Sequence, residues 1–405
     1  MDLVFCVNSS TNKATREYTK ILNSNLVLKT IYAEGQISRA GISRITKLTP
    51  ATVSTIVSNF INEGLVEETG TVPIKRGKPP TLVSVATNAY SIIGINLARS
   101  IFYGATMDLR GNIIHLESVS LQGNTGDEAL ALVYKLVDSL LASCEEPILG
   151  ISVGAPGIVD ENNGAIRFAA NVDWQELPLQ ELLRDRYALP IYVVNDNDAS
   201  VMAEYTFGRY KDSPDLVVFH IDHGIGAGIV LHHQLLRGHG SGAGEIGHVM
   251  VVEDGDRCLC GNYGCLETVA SSRAIVAGAR EIARKNPDSL LNRIAPAPEQ
   301  IDIRTIQQAL EGGDETLQPL LQEVGHYLGI ALANVVGLLS VPYILMTGSV
   351  SRLGQPLFDI IESELATRSL TFKVSETKIE PASVDSDPVL LGTASLLLKH
   401  ELGVF

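Results

Sequence analysis

The stretch GEIGHVMVVEDGDRCLCGNYGCLE, residues 244–267, shows no regular apolar period, yet it carries three of the five cysteines in the chain. A segment without a core of its own must be closed by something other than hydrophobic burial. Cys258, Cys260 and Cys265 stand together, and His248 precedes the first of them by nine intervening residues. Three thiolates and an imidazole form a common tetrahedral set for zinc, and four protein ligands leave no position for a reacting water. The spacing therefore points to a structural Zn2+ held by His248, Cys258, Cys260 and Cys265, with Gly261 and Gly264 letting the chain wrap the ion. Such an ion contributes on the order of 10–16 kcal/mol, enough to order a loop. Reduced, unmetallated thiols and a Cys258–Cys265 disulfide are the alternatives. An odd, clustered set of five cysteines does not suggest a secreted disulfide framework. No apolar run reaches the roughly 18 residues of a membrane span. The opening MDLVFCVNSS lacks the basic start of a signal peptide. A cytoplasmic protein without membrane insertion is the expectation.

At 405 residues the chain exceeds the roughly 250–300 that one core can serve, so two or three domains are expected. The net charge of −15 is unevenly distributed. Residues 1–80 hold ten Lys/Arg against six Asp/Glu, a net +4; the remainder holds 21 against 40, a net −19. A small nucleic-acid module on an acidic body fits this asymmetry. The same eighty residues read as three helices. TKILNSNLVLKTIYAEG ends at Gly35. QISRAGISRITKL has Ser38 as cap and Ile42 and Ile45 facing inward. TPATVSTIVSNFINEG has Thr49 as cap, Pro50 at the first helical position, and Val53, Ile56, Val57, Phe60 and Ile61 as its buried stripe. Helices two and three make a helix-turn-helix, with Thr49, Ala51, Thr52, Ser54 and Thr55 as short side chains able to approach a major groove, and Arg39 beside them. A plain three-helix bundle would share this pattern. The β-prone segments LVEETGT and PPTLVSVAT flank VPIKRGKP and suggest a winged hairpin whose tip presents Arg76 and Lys78 to DNA; a solvated linker is the bland alternative.

From about residue 88 the period changes. SIIGINLA, FYGATMD and IIHLESVSL read as a strand meander, followed by an amphipathic helix, the strand ILGISVGAPG, and the strand PIYVVNDND with a helix from about Ala199. LVVFHID and GAGIVLHHQLL begin a second meander, and 318–340 read as a long apolar helix before the strand YILMTGS. Two duplicated α/β lobes are expected. Ligands of such sheets sit beyond the carboxyl ends of strands, where GAPG (154–157), NDND (195–198) and DHGIGAG (222–228) fall. Asp198 reads as a helix cap.

The ordered set GAPG, AANVDW with Asn171 and Trp174, NDNDASVMAE, DHGIGAGI, GAGEIGH and CLCGNYGCLE resembles the ROK family of sugar kinases and repressors over nearly the whole chain. With the helices in front, it is similar to the repressor branch typified by the xylose, N-acetylglucosamine and glucose-regulon repressors. The resemblance implies an α/β fold: an N-terminal winged helix-turn-helix (1–87), then a two-lobed actin/hexokinase-like ATPase-type fold with a zinc loop. Its lobes would span 88–211, with a C-terminal helix (about 388–405) returning to brace the DNA module, and 212–387. It implies a sugar or sugar phosphate held by Gly154, Ala155, Asn171, Asn195, Asp196, Glu245, His248 and Glu267, with Asp196 at the position of the kinase base. It also implies operator DNA as partner and a dimer or tetramer.

Three nucleotide elements depart from the kinase pattern. Asn96-Leu97-Ala98-Arg99-Ser100 replaces Asp-x-Gly-Gly-Thr, Asp222-His223-Gly224 replaces Gly-Thr-Gly, and Gly348-Ser349 replaces Gly-Gly. A sugar-responsive repressor with no kinase activity is the expectation. A sugar kinase with an added DNA-binding domain and a regulator answering to a protein partner are the rivals.

Overall fold

The computed structural model describes residues 16–71, 79–160, 162–211, 213–368, 376–384 and 386–405. The chain divides into two compact units, one reaching to Ala199 and taking back Val389–Phe405, the other spanning Ser200–Pro388.

The first unit opens with α1 (Arg16–Glu34), strand β1 (Ile37–Ser38), α2 (Arg39–Thr46) and α3 (Pro50–Asn62). Local chemistry sets their limits. Gly35, at φ 72°, stops α1 in the left-handed region that a Cβ disfavours. The Ser38 hydroxyl accepts from Gly41 N–H at the start of α2, and the Thr49 hydroxyl accepts from Thr52 N–H at the start of α3, with Pro50 in its first turn. Val53, Ile56, Val57 and Phe60 are buried as the pattern requires, and Ile61 is half-buried. Ile42 is fully buried, but Ile45 is exposed, against expectation. An eight-residue helix that stops at left-handed Lys47 offers the bundle one inward row, and Ile42 takes it. Strands β2 (Val66–Thr71) and β3 (Thr81–Val85) pair antiparallel in a sheet of order β1-β3-β2, completing a winged helix-turn-helix. The expected wing tip, with Arg76 and Lys78, lies outside the described residues.

The body of this unit is a five-stranded sheet. Strands β4 (Ser91–Asn96), β5 (Ile101–Met107) and β6 (Ile113–Ser120) form the meander. Helix α4 (Gly126–Ser143) leads to β7 (Ile148–Ala155), parallel to β4. A small sheet of β8 (Ile158–Asp160), β9 (Ala165–Ala169) and β10 (Trp174–Leu177) follows, then α5 (Leu179–Tyr187) and β11 (Ile191–Asn195), which lies parallel to β7. Strand order is β11-β7-β4-β5-β6. Helix α6 (Asp196–Phe207) starts three residues earlier than its pattern suggested, because Asn195, not Asp198, caps it: Asn195 Oδ1 accepts from the N–H groups of Asn197 and Asp198.

The second unit repeats the plan. Strands β12 (Leu216–Ile221), β13 (Ile225–Leu231) and β14 (Gln234–Leu235) form a meander. Helices α7 (Leu266–Ala270), α8 (Ser272–Lys285), α9 (Leu291–Ile294), α10 (Ile303–Glu311) and α11 (Gln318–Leu339) come next. Then β15 (Tyr343–Thr347) runs parallel to β12, and α12 (Gln355–Arg368) precedes β16 (Lys378–Pro381), parallel to β15. The order β14-β13-β12-β15-β16 matches that of the first sheet, element for element, so the duplication is plain in topology where sequence identity between the halves is too low to prove it.

The last helix, α13 (Pro388–Leu397), packs on the first sheet, where Gly94 and Gly154 leave room for Leu390, Thr393 and Val389. The tail beyond it reaches the DNA-binding module. The Phe405 ring stands edge-on to Tyr32 of α1, with centroids 5.1 Å apart. The Arg110 guanidinium lies over the same Tyr32 ring at 4.2 Å and donates to Tyr32 O, while Tyr32 Oη donates to Leu109 O.

Candidate functional site

In the second unit, the ligand atoms of His248, Cys258, Cys260 and Cys265 all lie within 4.8 Å of one another. His248 turns Nδ1 toward Cys258 Sγ at 3.6 Å, and Cys260 Sγ lies 3.7 Å from Cys265 Sγ. That separation is far from the roughly 2.05 Å of a disulfide, and all three cysteines are free. The backbone closes the loop: Cys258 N–H donates to Asn262 O, Gly264 N–H to Asp256 O, and Leu266 N–H to Val249 O. Gly264 is obligatory, since a Cβ there would lie 1.7 Å from Val252 O. Burial, then hydrogen bonds within the trio, push the Cys265 thiol up to about 12. Burial first disfavours the Cys258 and Cys265 thiolates, while a backbone hydrogen bond from Asn262 favours that of Cys260, and a divalent cation would stabilise all three. The set fits a tetrahedral metal ion.

Two acids flank this loop. Helix α7 begins directly after Cys265, so Glu267 sits in its first turn, largely buried, with Oε1 3.7 Å from Arg273 Nη2. The other His248 nitrogen, Nε2, faces Glu245 Oε2 at 3.8 Å. Glu245 and His248 thus face each other, and Glu267 follows the last cysteine of the loop by two residues. The acceptor carboxylates of the two acids suit hydroxyl donors. Arg273 was not singled out in the sequence; the run SSR after α7 carries no signal beyond Ser271, which caps α8.

The candidates in the first unit divide. Asn171 keeps a buried Nδ2 with no hydrogen-bond partner among the described residues, an open donor of the kind a ligand satisfies. Asp196 stands at the first position of α6, at the carboxyl end of β11. Asn195 donates from Nδ2 to Gly157 O and caps α6 through Oδ1, so its amide organises the loop. Gly154 and Ala155 also have packing duties: a Cβ on Gly154 would lie 2.3 Å from Val389 Cγ1, and Ala155 is fully buried in the core.

On the helix-turn-helix, Thr49, Ala51, Ser54 and Thr55 are exposed on α3, and Thr52 is half-buried with its hydroxyl 2.8 Å from that of Thr49. Arg39 is engaged within the protein, pairing at 3.0 Å with Glu68 of the wing strand β2. No helix among the described residues is long and apolar enough to cross a membrane.

The positions that depart from the kinase pattern have found partners. Leu97 is buried in the core and its N–H donates to Gly154 O. Asp222 and Ser349, 127 residues apart in the chain, are joined by a 2.9 Å hydrogen bond from Ser349 Oγ to Asp222 Oδ1.

Fold and site together define a winged helix-turn-helix protein on a duplicated actin/hexokinase-like α/β body with a Cys3His loop. A profile described as the ROK family matches residues 92–400, and one described as a winged helix-turn-helix DNA-binding domain matches residues 24–67. The chain belongs to the ROK family. It is 31% identical to the xylose repressor of Caldicellulosiruptor bescii, over 95% of this chain and 97% of that one. A crystal structure described as a ROK family transcriptional regulator, a homologue of the E. coli MLC protein, is 30% identical and superposes with a TM-score of 0.82 over 95% of this chain and 98% of the other. A ROK family glucokinase from Streptomyces griseus, solved with glucose and AMPPNP, is 27% identical with a TM-score of 0.69, over 76% of this chain and 98% of its own.

Proposed function

We propose that the protein is a sugar-responsive DNA-binding repressor of carbohydrate uptake or catabolism genes, acting in the cytoplasm. The observation that carries this reading is the union in one chain of an exposed recognition helix, α3, with an acceptor group, Glu245, His248 and Glu267, built on a metal-type loop. Likeness over nearly full length to a protein named as a repressor and to one described as a transcriptional regulator supports it. The domains are residues 1–87, 88–211 with the returning tail, and 212–387. Operator contacts come from Thr49, Ala51, Thr52, Ser54 and Thr55, with Arg76 and Lys78 from the wing; Arg39 steadies the wing through Glu68. Sugar hydroxyls meet Glu245, His248 and Glu267, and Asn171 and Asp196 are the sugar-binding residues of the first unit. The loop metal is zinc, supplying a fixed charge that holds His248 and Glu267 in place. Repression is relieved when the sugar favours a form whose winged helices no longer match the operator half-sites of a symmetric dimer or tetramer; the effector shifts this balance only by its differential affinity for the two forms.

The kinase reading has one point in its favour, the carboxylate of Asp196 at the head of α6. Against it stand the filled nucleotide positions Leu97 and Asp222. DNA selected from a random-sequence pool by the purified chain, then challenged with a panel of pentoses and hexoses, separates the two. Release by one sugar, without ATP turnover, is expected. Sugar-dependent ATP hydrolysis, or selected DNA that no sugar releases, overturns the reading. Elemental analysis is expected to find one zinc per chain.

A further inference from the structure

We propose that Asp222 determines the charge class of the ligand: it makes the group of Glu245, His248 and Glu267 a site for an uncharged sugar, and bars sugar phosphates and nucleotides. The inference rests on the sugar-binding reading of that group and names which sugars it takes.

The turn between β12 and β13 lies against the candidate sugar residues. A Cβ built on Gly224 would sit 3.1 Å from Glu267 Oε2. Asp222, two residues earlier, is tied to the head of α8, where Ser272 N–H donates to Asp222 O at 2.7 Å and Ser272 Oγ donates to Asp222 Oδ1 at 3.2 Å. The next residue of α8, Arg273, faces Glu267. Turn, helix head and candidate sugar ligand therefore form one continuous piece of the second unit.

A turn that receives phosphate must offer free N–H or hydroxyl donors and no fixed negative charge. This turn does the reverse. The N–H of Asp222 is closed on Gly224 O at 2.9 Å. The hydroxyls of Ser272 and Ser349, and His223 Nδ1 at 3.4 Å, are directed at the Asp222 carboxylate. Burial opposes the charge. Hydrogen bonds from His223 and Ser349 and the fields of His220 and His223 outweigh it and hold the carboxyl at about 2. The protein has supplied its own anion and directed two hydroxyls and an imidazole at it.

The balance of charge follows. Glu245, Glu267 and Asp222 bring three carboxylates to this region, against the cation of Arg273 and the imidazoles of His220, His223 and His248. A phosphate dianion is rich in acceptors and would meet acceptors and like charge. A neutral polyol brings donors to the same groups.

Calorimetric titration of the full chain with neutral sugars, their 6-phosphates and Mg-AMPPNP tests this. The expected result is saturation by a neutral sugar, at least tenfold weaker binding of its phosphate, and no binding of AMPPNP. D222N is expected to shrink the neutral-to-phosphate ratio toward one. S349A, which removes a hydrogen bond and keeps the charge, is expected to keep the ratio. A wild-type chain that prefers the phosphate, or a D222N chain with the wild-type ratio, overturns the proposal and leaves sugar binding standing. A chain that binds neither form overturns the sugar reading as well. If D222N does not fold, the wild-type ratio decides.

Discussion

Glu267 is placed by two neighbours of different kinds: Cys265 sets the start of its helix, and Arg273 faces its carboxylate. An ionised acceptor is worth roughly 1.5–3 kcal/mol in a buried hydrogen bond, so Glu267→Gln is expected to weaken sugar binding tenfold or more by calorimetry while zinc content stays at one per chain. Unchanged affinity would remove Glu267 from the site. Asp222 makes a prediction about acid stability. Its carboxyl is held at about 2 against an ordinary 3.8, by His223 and Ser349 and the fields of His220 and His223 outweighing burial. A depressed folded value contributes stability that is full above about pH 4 and is lost as pH falls toward 2. Melting curves of wild type and Asp222→Asn should therefore converge on descending through that window; a constant gap between them would contradict the assignment.

Elements whose limits are set by neighbouring residues were legible in the sequence. Ser38 and Thr49 cap helices because the donors they satisfy are three residues away. The start of α6 was misjudged because NDND contains four residues able to cap and spacing does not choose among them; the chain uses the first, Asn195. Ile45 was misjudged because a short helix gives periodicity too few turns to act on. Of the candidate site, the cysteine–histidine loop was legible because spacing alone brings its ligands together. The Asp222–Ser349 bond was not, since it joins the ends of two neighbouring strands, β12 and β15, that lie far apart in the chain. The packing role of Gly154 was not legible, because its partner, Val389, comes 235 residues later in the chain. The same returning helix gives a test of packing. At Gly392 a Cβ would lie 1.8 Å from Ala199 O, and backbone cannot move as a side-chain tip can. Gly392→Ala is expected to destabilise by about 1–3 kcal/mol or more, read as a fall in Tm; an unchanged Tm would mean α13 does not pack as described. In the segment between β2 and β3, Arg76→Ala should, on the proposed function, weaken operator binding and lower the slope of log K against log salt by about 0.9, the share of one phosphate contact. An unaltered slope would exclude Arg76 from the DNA backbone.

Across the whole molecule the same duplicated plan serves two ends. One copy of the sheet carries the DNA-binding module and takes back the C-terminal tail, whose Phe405 meets Tyr32 of α1. The other copy carries the metal-type loop and the acids that flank it. Positions that depart from the kinases' nucleotide turns are engaged within the protein, Leu97 in the core and Asp222 with Ser349. On the proposed function the chain binds DNA and a sugar, and that function requires that one binding event alter the other. Fluorescence anisotropy of labelled operator DNA, titrated with the zinc-loaded chain in the presence and absence of a saturating neutral sugar, measures that coupling directly. The account predicts at least a tenfold rise in the Kd for DNA when the sugar is bound. Superimposable isotherms, with a sugar that calorimetry shows to be bound, would contradict it.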